Sequence, residues 1–165
     1  MQTEPIFEDR PAQPYAYITF TVTMQQMQKP ADEGFPALFG WLAQHGITPV
    51  AAPFYNYRRI DMAKTLDVEA GVPVDRLGEG DGTVRFGTLP AGRFVVVTHT
   101  GHFDGLYDAT SKLIGWARDN GVQWDVEERP DGDHFACRLE IYETDPSAES
   151  DPAKWVTPLV FKVKD

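Results

Sequence analysis

The chain has 165 residues, of which 42% are hydrophobic and 24% charged, and its formal net charge is −10. These proportions are ordinary for a folded domain of this length and exclude a coiled coil or a largely disordered chain. Basic residues number 15 and are scattered, with Arg58-Arg59 as the one adjacent pair. The sequence therefore predicts no direct contact with nucleic acid, which needs clustered lysine and arginine.

The expected compartment and cofactor chemistry follow from what the chain lacks. No apolar run approaches the roughly 18–20 residues that cross a bilayer, and residues 1–10 do not have the pattern of a secretory signal. We therefore expect a cytoplasmic protein without membrane contact. Cys137 is the only cysteine, and the spacing of His99, His102 and His134 does not predict a metal site. No metal or other cofactor is expected.

The predicted organisation is a short arm followed by one domain. Residues 1–14 are rich in proline and are predicted to be irregular. The remainder, residues 15–165, is expected to be a single domain of two halves, at about 15–80 and 84–165. The acidic, glycine-rich residues 75–83 are the expected connection between the halves.

Hydrophobic periodicity predicts the same element order in both halves, namely a strand, a helix and two strands. Alternating apolar and polar residues mark the strands, and a stripe of leucine and aromatic residues followed by glycine marks each helix. The predicted elements are a strand at 15–23, a helix at 32–46, strands at 53–60, 65–74 and 93–100, a helix at 101–120, a charged turn at 125–133, and strands at 134–142 and 156–164.

An internal repeat supports the two-half organisation. Residues 38–47 recur as residues 113–122, with leucine, tryptophan and two glycines at equivalent positions. The repeat predicts an α+β fold of two pseudo-symmetric β-α-β-β halves, which form an antiparallel sheet with both helices on one side. A domain built in this way tends to bind its ligand in a central cleft at the seam between the halves.

The clearest chemical signal is Glu140, which lies between Leu139 and Ile141 in a predicted strand. Side chains alternate across a sheet, so the odd-numbered residues 135–141 would lie under the helices, and Arg138, Glu140 and Tyr142 on the opposite face. One interpretation is an exposed glutamate that pairs with Arg138. The other is a carboxylate in a pocket of aromatic rings, which would suit a lipophilic cation.

A set of short motifs follows along the chain: Tyr55, residues 68–74, 89–93, 101–106 and 139–142, Asp145-Pro146 and Trp155. In order and spacing they resemble the GyrI-like effector-binding family, the small-molecule domains of AraC- and MerR-type multidrug regulators. The resemblance extends over about residues 15–163.

The resemblance implies two SH2-like halves around a cleft in which Glu140 contacts cationic ligands. Tyr142 and Tyr55 match aromatic residues near that cleft, and Tyr17 and Trp155 are further candidate ligand contacts. Arg138 is also a candidate, because it could neutralise Glu140 and reduce a preference for cations.

The predicted function is stand-alone binding of small hydrophobic organic molecules, cationic ones among them, as in multidrug sequestration or sensing. One alternative is hydrolysis of cyclopropane-bearing genotoxic compounds, with Glu140 as general base and Tyr142 or Tyr55 as hydrogen-bond donor. A further alternative is modulation of a protein partner, DNA gyrase, which the family name implies.

Overall fold

The computed structural model describes residues 1–165. The chain folds into a curled antiparallel sheet with two helices on one face. The helices are α1 (Phe35–Gln44) and α2 (Leu106–Asp119). The strands are β1 (Ile6–Arg10), β2 (Gln13–Val22), β3 (Phe54–Ile60), β4 (Leu66–Pro73), β5 (Arg85–Leu89), β6 (Gly92–Thr100), β7 (Val126–Arg129), β8 (Gly132–Phe135), β9 (Arg138–Ile141) and β10 (Val156–Lys162). The predicted α+β class with antiparallel sheet is confirmed.

The strand order brings the two halves together at the centre of the sheet. It runs β1-β6-β10-β9-β3-β4-β2-β5, with the β7–β8 hairpin attached at β3. Strands β3 and β9 are therefore neighbours, although they come from different halves. The predicted order of strand, helix and two strands is present in both halves, with the β7–β8 hairpin inserted in the second. Superposition of the halves as SH2-like units stays a prediction.

The strand register shows that both helices cover the same face. Directly paired residues project to the same side of a sheet. One such row crosses six strands: Ile18, Ala70, Tyr55, Glu140, Leu159 and Val97. At one end of the row Ile18 packs under α1, and at the other Val97 packs under α2. The two helices thus flank the middle of the row, where Tyr55 and Glu140 lie.

Apolar stripes hold the helices on the sheet. In α2 the buried residues Leu106, Ala109, Leu113 and Ala117 follow the spacing of one helix face. In α1 that role belongs to Leu38 and Leu42. Glycine follows each helix, as the sequence predicts, at Gly46 with φ +68° and Gly121 with φ +66°. Both are in the left-handed conformation that commonly ends a helix.

The opposite face of the sheet has its own apolar core, and this reverses the predicted orientation of the Glu140 strand. Cys137 and Leu139 pack there with Tyr15 and Phe54, away from the helices. The row of paired residues given above places Glu140 on the helix side. The prediction was wrong because the more apolar side of the strand was assigned to the helices, whereas the curled sheet buries both of its faces.

The predicted strand at 134–142 is also interrupted. β8 ends at Phe135 and β9 begins at Arg138, so the period of two does not continue through residues 136–137. As a result, Phe135 and Arg138 lie on the same side, with the guanidinium carbon 4.9 Å from the ring centroid of Phe135.

Three short strands occur where none was predicted. β1 lies in residues 1–14, predicted to be irregular, and pairs with β6, for example Ile6 with Val96. The prolines at 5 and 11 flank β1 and leave its ladder intact. β5 extends the sheet beside β2, and β7 replaces part of the charged turn.

Neither helix is long and apolar enough to cross a bilayer.

The position of Cys137 yields the first prediction. Its side chain is 2% exposed, and burial raises the pKa of the thiol to about 12. Because the thiolate is the reactive form, Ellman's reagent should label the native protein on the order of a thousandfold more slowly than the protein in guanidinium chloride. Cys137→Ser provides the blank. Rapid stoichiometric labelling of the native protein would show that this core is not packed as described.

Candidate functional site

A cavity of about 1160 Å³ opens between the two helices above the centre of the sheet. Phe35 and Phe39 of α1 form part of one wall, and Leu106 and Ile114 of α2 form part of the other. Its volume is slightly above the range of roughly 300–1,000 Å³ that is typical of sites for drug-sized molecules. The cavity lies at the seam between the halves, where the repeat predicts a ligand cleft.

Glu140 lies on the floor of the cavity and is only 9% exposed. Its Oε1 atom accepts hydrogen bonds from the hydroxyl of Tyr142 at 2.5 Å and from the hydroxyl of Tyr57 at 3.2 Å. The Oε2 atom accepts no hydrogen bond from the chain. The carboxylate is therefore held in place through one oxygen, and the other is left for a ligand or water.

The surroundings of Glu140 perturb its protonation. Burial raises the pKa of the carboxyl group above its ordinary value, and the hydrogen bonds from Tyr142 and Tyr57 and the charge of Arg138 oppose this in part. Burial also raises the pKa of the Tyr142 and Tyr57 hydroxyls well above 10. Both tyrosines therefore stay protonated at neutral pH and act as donors.

Aromatic rings pack around Tyr142, the residue that donates the shorter hydrogen bond to the carboxylate. The ring of Tyr142 meets the ring of Tyr55 edge to face, with centroids 5.1 Å apart. Phe103 and Phe35 approach Tyr142 from the two helical sides, with centroid distances of 5.6 and 6.1 Å. We call these four residues the aromatic box. Ring faces carry partial negative charge, so the box and the carboxylate place groups that attract cations on the same part of the cavity lining.

The hydroxyl of Tyr55 has a structural role. It donates to the carbonyl oxygen of Met27 at 2.8 Å and accepts from the amide of Ala31 at 2.8 Å. These bonds attach the π-helical turn Pro30–Gly34, which precedes α1, to the sheet. The ring of Tyr55 lines the cavity, but its hydroxyl is engaged. Of the two tyrosines predicted as donors, Tyr142 is the one that contacts Glu140.

Arg138 lines the cavity beside Glu140 without forming an ion pair with it. Its guanidinium carbon lies 4.7 Å from the ring centroid of Phe161, 4.9 Å from that of Phe135 and 5.6 Å from that of Tyr57. The interpretation of an exposed Glu140 paired with Arg138 is therefore wrong.

Two predicted contacts lie outside the cavity lining. Tyr17 projects from the opposite face of the sheet and stacks on Tyr15, with centroids 4.9 Å apart. The ring of Trp155 packs against the ring of Phe103, with centroids 4.6 Å apart, and its indole N–H donates to the carbonyl of Glu149. Trp155 therefore supports Phe103 in the cavity wall from outside the cavity.

The sequence reasoning missed Tyr57, Phe35 and Phe103. Tyr57 shares a strand face with Tyr55, so the period of two could have identified it. Phe35 and Phe103 come from the approaches to two different helices, and no local pattern connects them with Glu140.

The ionisable side chains do not form a metal site. No group of three or more histidine, cysteine, aspartate and glutamate side chains comes together in a suitable arrangement. The ring of His99 instead bonds to the carbonyl of His102 at 3.0 Å, and His134 bonds to Asp131 at 2.8 Å.

Comparisons with known proteins relate the whole chain to one family. The model of the GyrI-like small molecule binding domain matches residues 3–164. The C-terminal domain of EcmrR is similar in structure, with a TM-score of 0.76 and 23% identity over 98% of both chains. The chain spans 57% of the EcmrR chain solved in an EcmrR–DNA complex.

More distant structures share the fold. A hydrolase from Listeria innocua has a TM-score of 0.64 and 14% identity, over 98% of this chain and 92% of that one. SAV2435 bound to tetraphenylphosphonium has a TM-score of 0.59 and 11% identity, over 98% of this chain and 94% of the SAV2435 chain. No match was found among curated protein sequences.

The raised pKa of Glu140 predicts an effect on stability. A folded-state pKa above the unfolded value favours folding below the unfolded pKa, and this contribution is lost as the pH rises through the folded-state pKa. Glu140→Gln removes the titration and can still accept from the tyrosines. In urea unfolding, the variant should therefore gain stability relative to the wild type between pH 4 and pH 8, by about 1.4 kcal/mol for each unit by which the pKa is raised.

Glu79→Gln is the matched control, because Glu79 is exposed to solvent in the connection between halves. It should show no such pH-dependent gain. A stability difference between Glu140→Gln and wild type that stays constant over this pH range would contradict the burial of a titrating carboxyl group.

Proposed function

Because the chain belongs to the GyrI-like small molecule binding domain family, we propose that it binds hydrophobic organic cations in the cavity between α1 and α2. The observation that carries the proposal is the buried carboxylate of Glu140 on the floor of this cavity, hydrogen-bonded to Tyr142 of the aromatic box. The biological role that follows is sequestration or sensing of such compounds.

The physical basis is the cost of a buried charge without a partner. Glu140 loses hydration in the cavity, and two neutral tyrosine hydroxyls replace only part of it. A cation that enters the aromatic box supplies the missing charge and gains from the ring faces, a contribution of about 2 kcal/mol when the cation is desolvated. A neutral molecule of the same shape gains only the apolar contact.

The comparison structures support this choice of ligand. Tetraphenylphosphonium, which is bound to SAV2435, is a cation whose charge lies inside four phenyl groups. Such an ion loses little hydration on entering an apolar site. At 11% identity the likeness concerns the fold, so the preference of this chain depends on its own Glu140.

The proposal predicts a pH-dependent preference for cations. Tetraphenylphosphonium keeps its charge at every pH, so the titrating partner is Glu140. The affinity of the protein for tetraphenylphosphonium should rise as the pH increases through the raised pKa of Glu140, because only the ionised carboxylate attracts the cation. At pH 8, Glu140→Gln should weaken binding about tenfold and remove the pH dependence. Isothermal titration calorimetry measures both effects.

Triphenylphosphine oxide serves as the neutral ligand control, and Glu79→Gln as the protein control. Affinity for the neutral compound should be the same in wild type and in Glu140→Gln. Equal losses for both compounds would mean that Glu140 shapes the cavity without selecting charge.

A second candidate function, hydrolysis of strained electrophiles such as cyclopropane-bearing compounds, is favoured by the free oxygen of Glu140. With Oε1 held by two tyrosines, Oε2 is available to take a proton from a water molecule. A raised pKa makes the carboxylate a stronger base than an exposed glutamate. The Listeria innocua structure described as a hydrolase shares the fold.

Hydrolysis would have a distinct signature in the pH profile. The rate should rise with pH through the pKa of Glu140 and be lost in Glu140→Gln. Tyr142→Phe removes a donor to the carboxylate, so it should move the midpoint of the profile to higher pH with a smaller loss of rate. Tyr17→Phe, on the opposite face of the sheet, is the control. Chromatography of the substrate after incubation gives the answer, and intact substrate with wild type at every pH refutes hydrolysis of that compound.

A further inference from the structure

Arg138 is a cationic side chain whose hydrogen-bonding capacity is unused within the protein. None of its guanidinium nitrogens donates to an acceptor of the chain, and the buried Nε has no partner at all. A guanidinium group carries five N–H donors and stays charged in proteins. Buried donors without acceptors are uncommon, because each retains the cost of its lost hydration.

The surroundings of Arg138 fix its position but do not satisfy it. The rings of Tyr57, Phe135 and Phe161 surround the guanidinium group at centroid distances between 4.7 and 5.6 Å. Aromatic faces attract the positive charge but offer no conventional acceptor to the N–H groups. The group is therefore held in a defined orientation at the cavity wall.

Glu140 does not neutralise Arg138 by direct contact. The two residues are two positions apart on the same face of β9, and no ion pair or hydrogen bond joins their side chains. Tyr57 lies between them, since its hydroxyl donates to Glu140 while its ring contacts Arg138. Opposite charges in one cavity are thus kept apart, and each remains available to a ligand.

We infer that Arg138 forms a second charged subsite in the cavity, which binds an acidic oxygen group of the ligand. The preferred ligands are then aromatic zwitterions, in which a cationic nitrogen lies near Glu140 and a carboxylate or sulfonate lies near Arg138. The planar fork of the guanidinium group suits such oxygen pairs. This inference rests on the proposed function and adds the second half of the ligand's charge pattern.

Two xanthene dyes separate the two subsites. Rhodamine 110 carries a cationic ring system and a free carboxylate, and rhodamine 123 is its methyl ester, with the same cation and no negative charge. Fluorescence anisotropy gives the affinity of each dye at pH 8. Wild type should bind rhodamine 110 about tenfold more tightly than rhodamine 123, the value of one additional charge-assisted contact.

Variants assign the two charges to their subsites. Arg138→Met keeps an unbranched side chain against the rings and removes the donors, so the ratio of the two affinities should fall to about one. Arg138→Lys keeps the charge without the planar fork and should give an intermediate ratio. Glu140→Gln should weaken both dyes by the same factor, because the cation is common to them. Arg118→Met, an exposed arginine at the end of α2, is the control and should change neither affinity.

The outcomes distinguish the inference from the proposed function. If both dyes bind wild type equally, or if the ratio is unchanged in Arg138→Met, the inference is wrong and the proposed function stands. If neither dye binds wild type although tetraphenylphosphonium does, the inference is wrong and the proposed function stands. If tetraphenylphosphonium does not bind either, the proposed function fails and the inference with it. Circular dichroism checks the fold of each variant, and if Arg138→Met does not fold, the wild-type ratio together with Arg138→Lys decides.

Discussion

The hydrogen bonds from Tyr57 and Tyr142 to Glu140 are the interaction on which the site depends. They hold a carboxylate beneath two helices and offset part of the burial that raises its pKa. They also fix the rings of both tyrosines, so that the same contacts build the aromatic wall and position the charge. The arrangement requires β3 and β9 to be neighbours, because Tyr57 belongs to one strand and Glu140 to the other.

A second buried carboxylate shows that this chemistry alone does not make a ligand site. On the opposite face of the sheet, Glu69 accepts from the hydroxyl of Tyr15 at 2.6 Å and from the side-chain amide of Asn56 at 3.0 Å, and burial raises its pKa. Tyr15 belongs to the apolar core on that face. Glu140 differs because the space above it, between α1 and α2, is left open. The open cavity above Glu140 is therefore what distinguishes it from Glu69.

The elements that the sequence predicts correctly are those with strong local signals. Alternation along β2 assigns Ile18 to the side that α1 covers, and the leucine stripes with Gly46 and Gly121 locate the two helices. The family resemblance is confirmed across residues 3–164. The orientation of β9 was predicted wrongly, since a sheet buried on both faces gives no contrast between an inside and an outside. The break between β8 and β9 also interrupts the period of two, so that Phe135 and Arg138 project to the same side of the sheet.

The sequence by itself determined the α+β class, the repeated helix, and the presence of a glutamate in an unusually apolar strand, because propensity and periodicity are properties of neighbouring residues. Only the tertiary structure decided which face Glu140 occupies, that Tyr57 bonds to it while Phe35 and Phe103 pack on Tyr142, and that Arg138 is held by aromatic rings and not by a carboxylate. Those relations join residues from different strands and helices. They arise from strand pairing and from the space between two packed helices, and no local pattern in the chain encodes either.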